Sequence, residues 1–111
     1  MLKVIKRSVM LMCIAGLVFA PSALGDSFRV RATAGDQWSP DFRHIAKGDR
    51  IVWKNPTSSF HNIVSSSSNW SYDKNLPPGE KRDKRFRRRG YYEYRCTIHP
   101  GMNGSIHVGR R

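Results

Sequence analysis

The stretch that most constrains this chain is a seven-residue segment near its C-terminal end, from Cys96 to Met102. It places a thiol, an imidazole and a thioether at three-residue spacing, on Cys96, His99 and Met102, and Pro100 and Gly101 bend the chain between the last two. Because three residues span at most about 10 Å, the three side chains can converge on one point. Soft sulfur combined with imidazole suits copper, and two histidines, one cysteine and a weak axial methionine form the blue-copper pattern. The segment supplies three of those four ligands, so a second histidine has to come from elsewhere.

His61 is the strongest candidate for that second histidine. It stands 35 residues before Cys96, near the start of an apolar run over residues 60–64 that is typical of a strand. The other two histidines, His44 and His107, are predicted on the outer faces of strands and are not expected to bind the metal. Each candidate ligand taken alone has a plainer explanation, such as a buried histidine or a small buried thiol. The prediction therefore depends on the whole set occurring together.

Short runs with alternating apolar residues dominate the chain after residue 25, and no stretch has a helical period. The predicted strands cover residues 28–33, 42–46, 50–55, 60–64, 81–89, 91–96 and 104–108. About seven short strands with turn residues between them predict an all-β fold, a small antiparallel Greek-key β-sandwich. On this interpretation the ligand segment connects the last two strands, and a rigid scaffold holds it.

Two local features of the predicted sandwich follow from the same pattern. Phe42 and Ile45 fall on opposite parities of one strand, so a bulge or a shortened strand is expected there. Residues 47–49, with a central glycine, predict a hairpin turn between this strand and the next.

The first 25 residues are predicted to be a secretory signal peptide. Three basic residues lie within the first seven positions, residues 8–20 are mostly apolar, and the small-residue site at residues 23–25 predicts cleavage before Asp26. A retained membrane anchor is the alternative, and it is disfavoured because the apolar run is short for a bilayer-spanning helix. Residues 26–111 are then predicted to form a single domain in an exported protein.

The predicted export limits which cysteines remain in the mature domain. Cys13 leaves with the signal, so Cys96 becomes the only cysteine and no disulfide can form within the domain. A domain of about 86 residues buries a modest fraction of its surface and gains from an additional stabilising element. A metal bound through the Cys96 thiolate would supply that stabilisation.

The chain is strongly basic, with a formal net charge of +12. A charge of this size implies anionic partners or surfaces and says nothing about the fold. The highest density lies in residues 81–89, where seven of nine side chains are basic: Lys81, Arg82, Lys84, Arg85, Arg87, Arg88 and Arg89. This run predicts a docking patch that binds an acidic redox partner or an anionic envelope surface. The alternative is a solvated edge strand whose charges prevent edge-to-edge pairing. Nucleic acid is disfavoured because the protein is expected to be exported and because the run has no interleaved aromatic residue beyond Phe86.

With these residues in view, the chain resembles the cupredoxins, the type 1 blue copper proteins of the plastocyanin, amicyanin and pseudoazurin group. The resemblance spans residues 40–109 and is carried by the segments 48–55, 60–64, 78–80, 90–96 and 96–104. It departs from the family in the strand after residue 80, where Arg82 and Lys84 occupy positions that relatives tend to fill with apolar residues.

The resemblance implies a cupredoxin-like domain over residues 26–111 with one type 1 copper. His61, Cys96 and His99 would be the strong ligands and Met102 the long axial contact. Asn62 would tie the two ligand segments together near the thiolate, and His99 would be the partly exposed ligand through which electrons pass.

The expected function is that of a soluble exported electron carrier, a monomer that shuttles single electrons between redox partners in a periplasm or at a cell surface, in a bacterium. A periplasmic copper-binding, delivery or storage protein using the same ligands is the alternative. An enzyme with Cys96 as nucleophile and His61 or His99 as base is a third interpretation. It is disfavoured because a sandwich of this size has little room for a substrate cleft, so no enzymatic activity is expected.

Overall fold

The computed structural model describes residues 25–110. Within that range the secondary structure consists of nine short strands. They are β1 (Ser27–Ala32), β2 (Trp38–Ser39), β3 (Phe42–Ala46), β4 (Arg50–Lys54), β5 (His61–Ser65), β6 (Asp73–Leu76), β7 (Lys81–Arg85), β8 (Gly90–Arg95) and β9 (Asn103–Gly109). The predicted signal peptide lies outside the described residues except for Gly25, so it stays a prediction.

The strands form two sheets, one with the order β2-β1-β4-β7 and one with the order β3-β9-β8-β5-β6. This confirms the predicted β-sandwich, and each of the seven predicted strands overlaps an observed one. The prediction missed β2, which has two residues, and β6, whose first three residues are exposed and therefore show no apolar alternation. Most described pairings are antiparallel, but β1 with β4 and β3 with β9 pair parallel, so both sheets are mixed.

The bulge expected in β3 does not occur. The strand pairs with β9 in one unbroken register over its whole length, from Phe42 opposite Ser105 to Ala46 opposite Gly109. The two apolar side chains lie on opposite faces of a regular strand. Ile45 is buried, whereas Phe42 is 48% exposed on the outer face.

The hairpin predicted at residues 47–49 is also wrong. The turn at these residues joins β3 in one sheet to β4 in the other, so it crosses between the layers. Asp49 is fully buried there, and its carboxylate accepts hydrogen bonds from the backbone N–H groups of Ala46, at 2.8 Å, and Asp26, at 2.9 Å. A buried carboxylate that accepts backbone N–H groups is satisfied, and it fixes the crossover.

Aromatic side chains are the largest groups in the space between the sheets. Trp53 on β4 is fully buried and lies edge-on to Tyr94 on β8, with ring centroids 5.4 Å apart. The neighbouring strand has to carry a glycine opposite Tyr94, because a Cβ atom on Gly104 would come within 2.2 Å of the Tyr94 ring. The Tyr94 ring thus occupies the space that a side chain at residue 104 of β9 would need.

β7 is an edge strand, which explains its departure from the apolar pattern of relatives. It pairs with β4 on one side only, and its residues are exposed or half-buried. Long basic side chains suit such a position, because their stems cover the sheet while their charged ends reach water. The apolar side chain that closes this edge is Phe86, just beyond the strand, which is buried under Trp70.

Candidate metal centre

The register of the five-stranded sheet brings the predicted metal ligands to one end of the sandwich. β5 and β8 run antiparallel with Val64 opposite Arg95, and β8 ends immediately before Cys96. Continuing this register places residues 61–63 beside the start of the segment that leads into β9. His61 therefore meets the ligand loop, which we define as residues 96–102, although 35 residues separate it from Cys96.

The ligand atoms of His61, Cys96 and His99 converge. The Cys96 Sγ lies 3.9 Å from Nδ1 of His61 and 3.5 Å from Nδ1 of His99, and the three atoms lie within 4.8 Å of one another. With metal–nitrogen and metal–sulfur bonds of about 2.0 and 2.3 Å, a trigonal site requires nitrogen–sulfur separations of roughly 3.7 Å. The donor set and its spacing therefore fit a copper ion bound by three ligands.

The backbone closes the ligand loop on itself. The N–H of Cys96 donates to the carbonyl oxygen of Met102 at 2.9 Å, and the N–H of Met102 donates to the carbonyl oxygen of His99 at 3.1 Å. Gly101 takes a φ of +87°, in the left-handed region that glycine enters at no steric cost. The side chain of Met102 is fully buried at the end of this loop.

Trp38 holds the same loop from the other sheet. Its indole N–H donates to the carbonyl oxygen of Met102 at 3.2 Å, a buried contact between residues 64 positions apart. Its ring also lies 6.3 Å from the His61 ring and 5.6 Å from the Tyr94 ring, measured between centroids. One side chain thus packs against a ligand histidine and fixes the backbone of the loop.

Asn62 ties the ligand loop to β5 through two hydrogen bonds. Its side-chain amide donates to the hydroxyl oxygen of Thr97 at 2.7 Å, and its carbonyl oxygen accepts from the Thr97 backbone N–H at 2.8 Å. Thr97 follows Cys96 directly, so the position of the thiol is linked to the strand that carries His61. The family resemblance implies such a tie for Asn62, and its influence on a bound metal stays a prediction.

The far side of the His61 ring rests on a short polar chain. With Nδ1 directed at the thiol, Nε2 carries the proton and donates to the hydroxyl oxygen of Thr57 at 3.3 Å. That hydroxyl donates to the side-chain carbonyl oxygen of Asn55 at 2.6 Å, and the Asn55 amide donates to the backbone oxygen of Leu76 at 2.9 Å. A partner on the second nitrogen fixes the tautomer and the ring orientation of a metal-binding histidine.

The electrostatic setting favours neutral imidazole at His61. The ring is fully buried, and burial lowers the pKa of His61, helped by the nearby His99 and opposed by Asp36. A lowered pKa keeps the lone pair of Nδ1 free at neutral pH, which is the form that binds a metal.

His99 differs from the other two ligand candidates in its exposure. Its side chain is 23% exposed, and its Nε2 lies 3.6 Å from a carboxylate oxygen of Asp36. Two large apolar side chains adjoin the ligands in sequence and are also open to solvent, Ile98 at 47% and Phe60 at 41%. Of the three converging side chains, His99 is therefore the one that reaches solvent.

The last three arginines of the basic run lie away from this end of the molecule, whereas the run begins near it, with Lys81 opposite Lys54. Residues 81–85 form β7, whereas Arg87, Arg88 and Arg89 lie exposed in the connection to the first residue of β8. β8 runs from there to the ligand loop, so its six residues separate the three arginines from Cys96 by on the order of 20 Å.

Sequence reasoning missed the residues that support the ligands: Trp38, Asn55 and Thr57. The two polar ones carried a usable signal, since Asn55, Pro56 and Thr57 form a turn in which the Asn55 side chain accepts the Thr57 backbone N–H at 3.0 Å. Trp38 carried no local signal, because its role depends on how the two sheets pack.

These observations agree with comparison to known proteins. A family model described as copper binding proteins, plastocyanin/azurin family, matches residues 29–109. The chain belongs to this family. It is therefore a copper-binding cupredoxin, and His61, Cys96, His99 and Met102 form its candidate type 1 copper site. Direct comparison with curated protein sequences finds no match.

Solved structures with the same fold are numerous. A purple cupredoxin from Nitrosopumilus maritimus is 26% identical with a TM-score of 0.65, over 74% of this chain and 99% of that one. An amicyanin variant in its reduced Cu(I) form is 22% identical with a TM-score of 0.68, over 74% of this chain and 81% of that one. A copper-containing nitrite reductase from Thermus scotoductus is 24% identical with a TM-score of 0.69, over 77% of this chain but only 23% of that one.

A separate observation concerns membranes. Among residues 25–110, no helix is long and apolar enough to cross a bilayer.

Proposed function

We propose that His61, Cys96, His99 and Met102 hold one type 1 copper and that the protein carries single electrons between redox partners. The observation that carries the proposal is the convergence of two imidazole nitrogens on the Cys96 sulfur at 3.5 and 3.9 Å, inside a buried and hydrogen-bonded frame. Bound copper would supply the chemistry by alternating between Cu(I) and Cu(II).

The residues of the chain have distinct parts in this proposal. Cys96 and His61 are almost fully buried and would exclude water from a bound metal. Met102 would be the fourth ligand, and its burial would favour a dry, soft environment that tunes the reduction potential of the copper. His99, the ligand candidate nearest the solvent, would be the route by which an electron enters and leaves.

The buried ligand set also argues against the delivery alternative. A protein that hands copper to another benefits from exposed ligands that an incoming chain can displace. Here two of the three converging side chains are at most 2% exposed. We therefore favour electron transfer over copper delivery or storage, and over an enzymatic role.

We further propose that residues 26–111 work outside the cytoplasm, as a monomer, after cleavage of the leader. The lone cysteine of this region, Cys96, is buried and has no cysteine partner among the described residues, which suits a protected thiolate ligand in an oxidising compartment. The acidic redox partner would meet the His99 face, and the exposed arginines at residues 87–89 would attract the partner or an anionic envelope surface from a distance.

The test is optical. Purified protein should turn intensely blue with one equivalent of Cu(II), bleach on reduction and recover on oxidation. Cys96→Ser should abolish the colour, because the absorption requires the thiolate, whereas His44→Gln, far from the centre, should retain it. A colourless Cu(II) complex of the unaltered protein would refute the carrier proposal, and a blue complex that readily gives its copper to an apo-protein would favour delivery.

A further inference from the structure

A second pair of histidines meets on the outer face of the five-stranded sheet. His44 on β3 and His107 on β9 stand directly opposite each other in register, and their Nδ1 atoms lie 2.9 Å apart. His107 lies five residues along the chain from Met102, so the pair is roughly 17 Å from the end of the ligand loop. The copper centre therefore makes no use of these two side chains.

The hydrogen bonds fix how the two rings share protons. Nε2 of His44 lies 2.7 Å from the backbone carbonyl oxygen of Arg110. A carbonyl can only accept, so Nε2 carries the proton and, in the neutral ring, the Nδ1 of His44 presents a bare lone pair. That lone pair then accepts the proton on Nδ1 of His107. A divalent cation can take the place of this shared proton if the proton moves to Nε2 of His107, so that both rings bind the metal as neutral imidazoles.

The separation of the two nitrogens is that of a hydrogen bond, and it is also close to the spacing of two ligands in a metal site. Two nitrogens bound in adjacent positions of a square-planar ion, at about 2.0–2.1 Å each, lie roughly 2.9 Å apart. A tetrahedral ion would need roughly 3.3 Å. Square-planar or tetragonal nitrogen coordination is typical of Cu(II), which also binds imidazole more tightly than the neighbouring divalent metals do.

The surroundings hold both rings in this arrangement. The Tyr91 ring stacks on His107, with centroids 4.2 Å apart and planes within 10°. Both imidazoles lie over Gly109, where a Cβ atom would come within 2.9 Å of the His107 ring and 3.2 Å of the His44 ring. The Arg110 carbonyl supplies the partner that a metal-bound histidine normally has on its other nitrogen. The site thus has two ligands, a supporting carbonyl and packed rings.

We propose that His44 and His107 form a second metal site, which binds one Cu(II) ion through the two Nδ1 atoms and completes its coordination with water. This site is separate from the proposed type 1 centre. The positive net charge of the chain opposes a second cation and limits the affinity, but the preorganised ligand pair still favours Cu(II) over Zn(II).

Electron paramagnetic resonance can test the proposal on the complete mature protein. Blue protein that holds one Cu(II) is titrated with further Cu(II). One additional equivalent should give a second signal with the wide copper hyperfine splitting of a tetragonal site and with coupling to imidazole nitrogen. His44→Gln and His107→Gln should each weaken this binding by about tenfold or more. Tyr91→Phe keeps the stacked ring and should bind as the unaltered protein does.

The blue absorption serves as the internal control, because every variant that folds correctly should retain it. Absence of the second signal in a several-fold excess of Cu(II) would overturn the proposal. Equal binding by the histidine variants would also overturn it, since the copper would then lie elsewhere on the surface. Failure of the protein to turn blue would count against the type 1 centre alone, because the second signal does not depend on Cys96.

Discussion

The ligand loop at residues 96–102 and the basic run at residues 81–89 both stand out in the sequence, but they obey different rules in the fold. In the ligand loop, sulfur and nitrogen atoms must converge within a few ångströms, and neighbouring groups such as Asn62 and Trp38 hold it in place. In the basic run, residues 81–85 form an edge strand and the last three arginines are exposed. Metal coordination requires one arrangement of the ligand atoms, whereas electrostatic attraction acts over about 10 Å and is compatible with many arrangements of the charged side chains. The comparison predicts large, specific effects at the loop and small, salt-dependent ones at the run.

The largest effect is expected at Asn62. Asn62→Ala removes both hydrogen bonds to Thr97, so the segment after Cys96 is no longer tied to β5. We expect copper affinity to fall about 10- to 100-fold, as it does when such supporting partners are lost. Asn62→Asp is the matched control, because it retains the acceptor for the Thr97 backbone N–H and should lose less. Equal copper affinity of Asn62→Ala and the unaltered protein, measured by competition with a chelator, would show that the loop holds its shape without this tie.

Thr57 should come next. Thr57→Val removes the acceptor for the Nε2 proton of His61 and leaves buried polar groups without their partner. Loss of that partner costs about 1–3 kcal/mol of unfolding free energy. Thr57→Ser retains the hydroxyl and should be close to the unaltered protein in stability and in the position of the blue absorption band. If the valine and serine variants behave alike, the His61 ring is oriented by packing and not by the polar chain.

Substitutions in the basic run should change only the rate of electron exchange with a partner. Replacing Arg87, Arg88 and Arg89 together with glutamate leaves the centre untouched, so the blue absorption and the reduction potential should not change. Electron exchange with an acidic partner should slow several-fold at low ionic strength and approach the unaltered rate as salt rises. Stopped-flow measurements over a salt series would show this. An unchanged rate at low salt would mean that these arginines take no part in steering.

The smallest effect concerns alkaline pH and the contact between the aromatic core and the basic edge. Tyr72 donates its hydroxyl to the backbone oxygen of Asp83 on β7, and burial, together with the Asp83 charge, raises the pKa of Tyr72 to about 12. The folded protein therefore keeps a proton that the unfolded chain releases near pH 10, so stability should fall as pH rises from about 10 through about 12. Tyr72→Phe should lose less stability over that interval in denaturant titrations. If the two proteins lose stability equally over this interval, Tyr72 does not contribute to the pH dependence of stability.

The ligand set was within reach of the sequence because it is mostly local. Cys96, His99 and Met102 are close along the chain whatever the fold. His61 was a candidate from its place at the start of a strand, but its approach to them depends on the pairing of β5 with β8. The alternation of the strands was enough to predict the β-sandwich. The sequence also revealed the departure at Arg82 and Lys84, which the fold explains as an edge strand.

The remaining features depend on packing between distant segments. Phe42 broke the expected pattern because the outer face of β3 accepts an exposed aromatic ring, and no local rule distinguishes that case from a bulge. The crossover at residues 47–49 looked like a hairpin because turn residues do not encode which sheet the next strand joins. The pairing of His44 with His107 needed the parallel register of β3 and β9, which alternation alone does not give.

The hydrogen bond from Trp38 to Met102 has a consequence for the order in which the protein becomes functional. It joins an early strand to the last loop, across 64 positions of the chain, and the loop geometry depends on it. A growing or truncated chain that lacks either partner would expose the thiol of Cys96 without the frame that protects it. Uptake of copper should therefore follow the closing of the two sheets, and the appearance of colour would time the completion of folding.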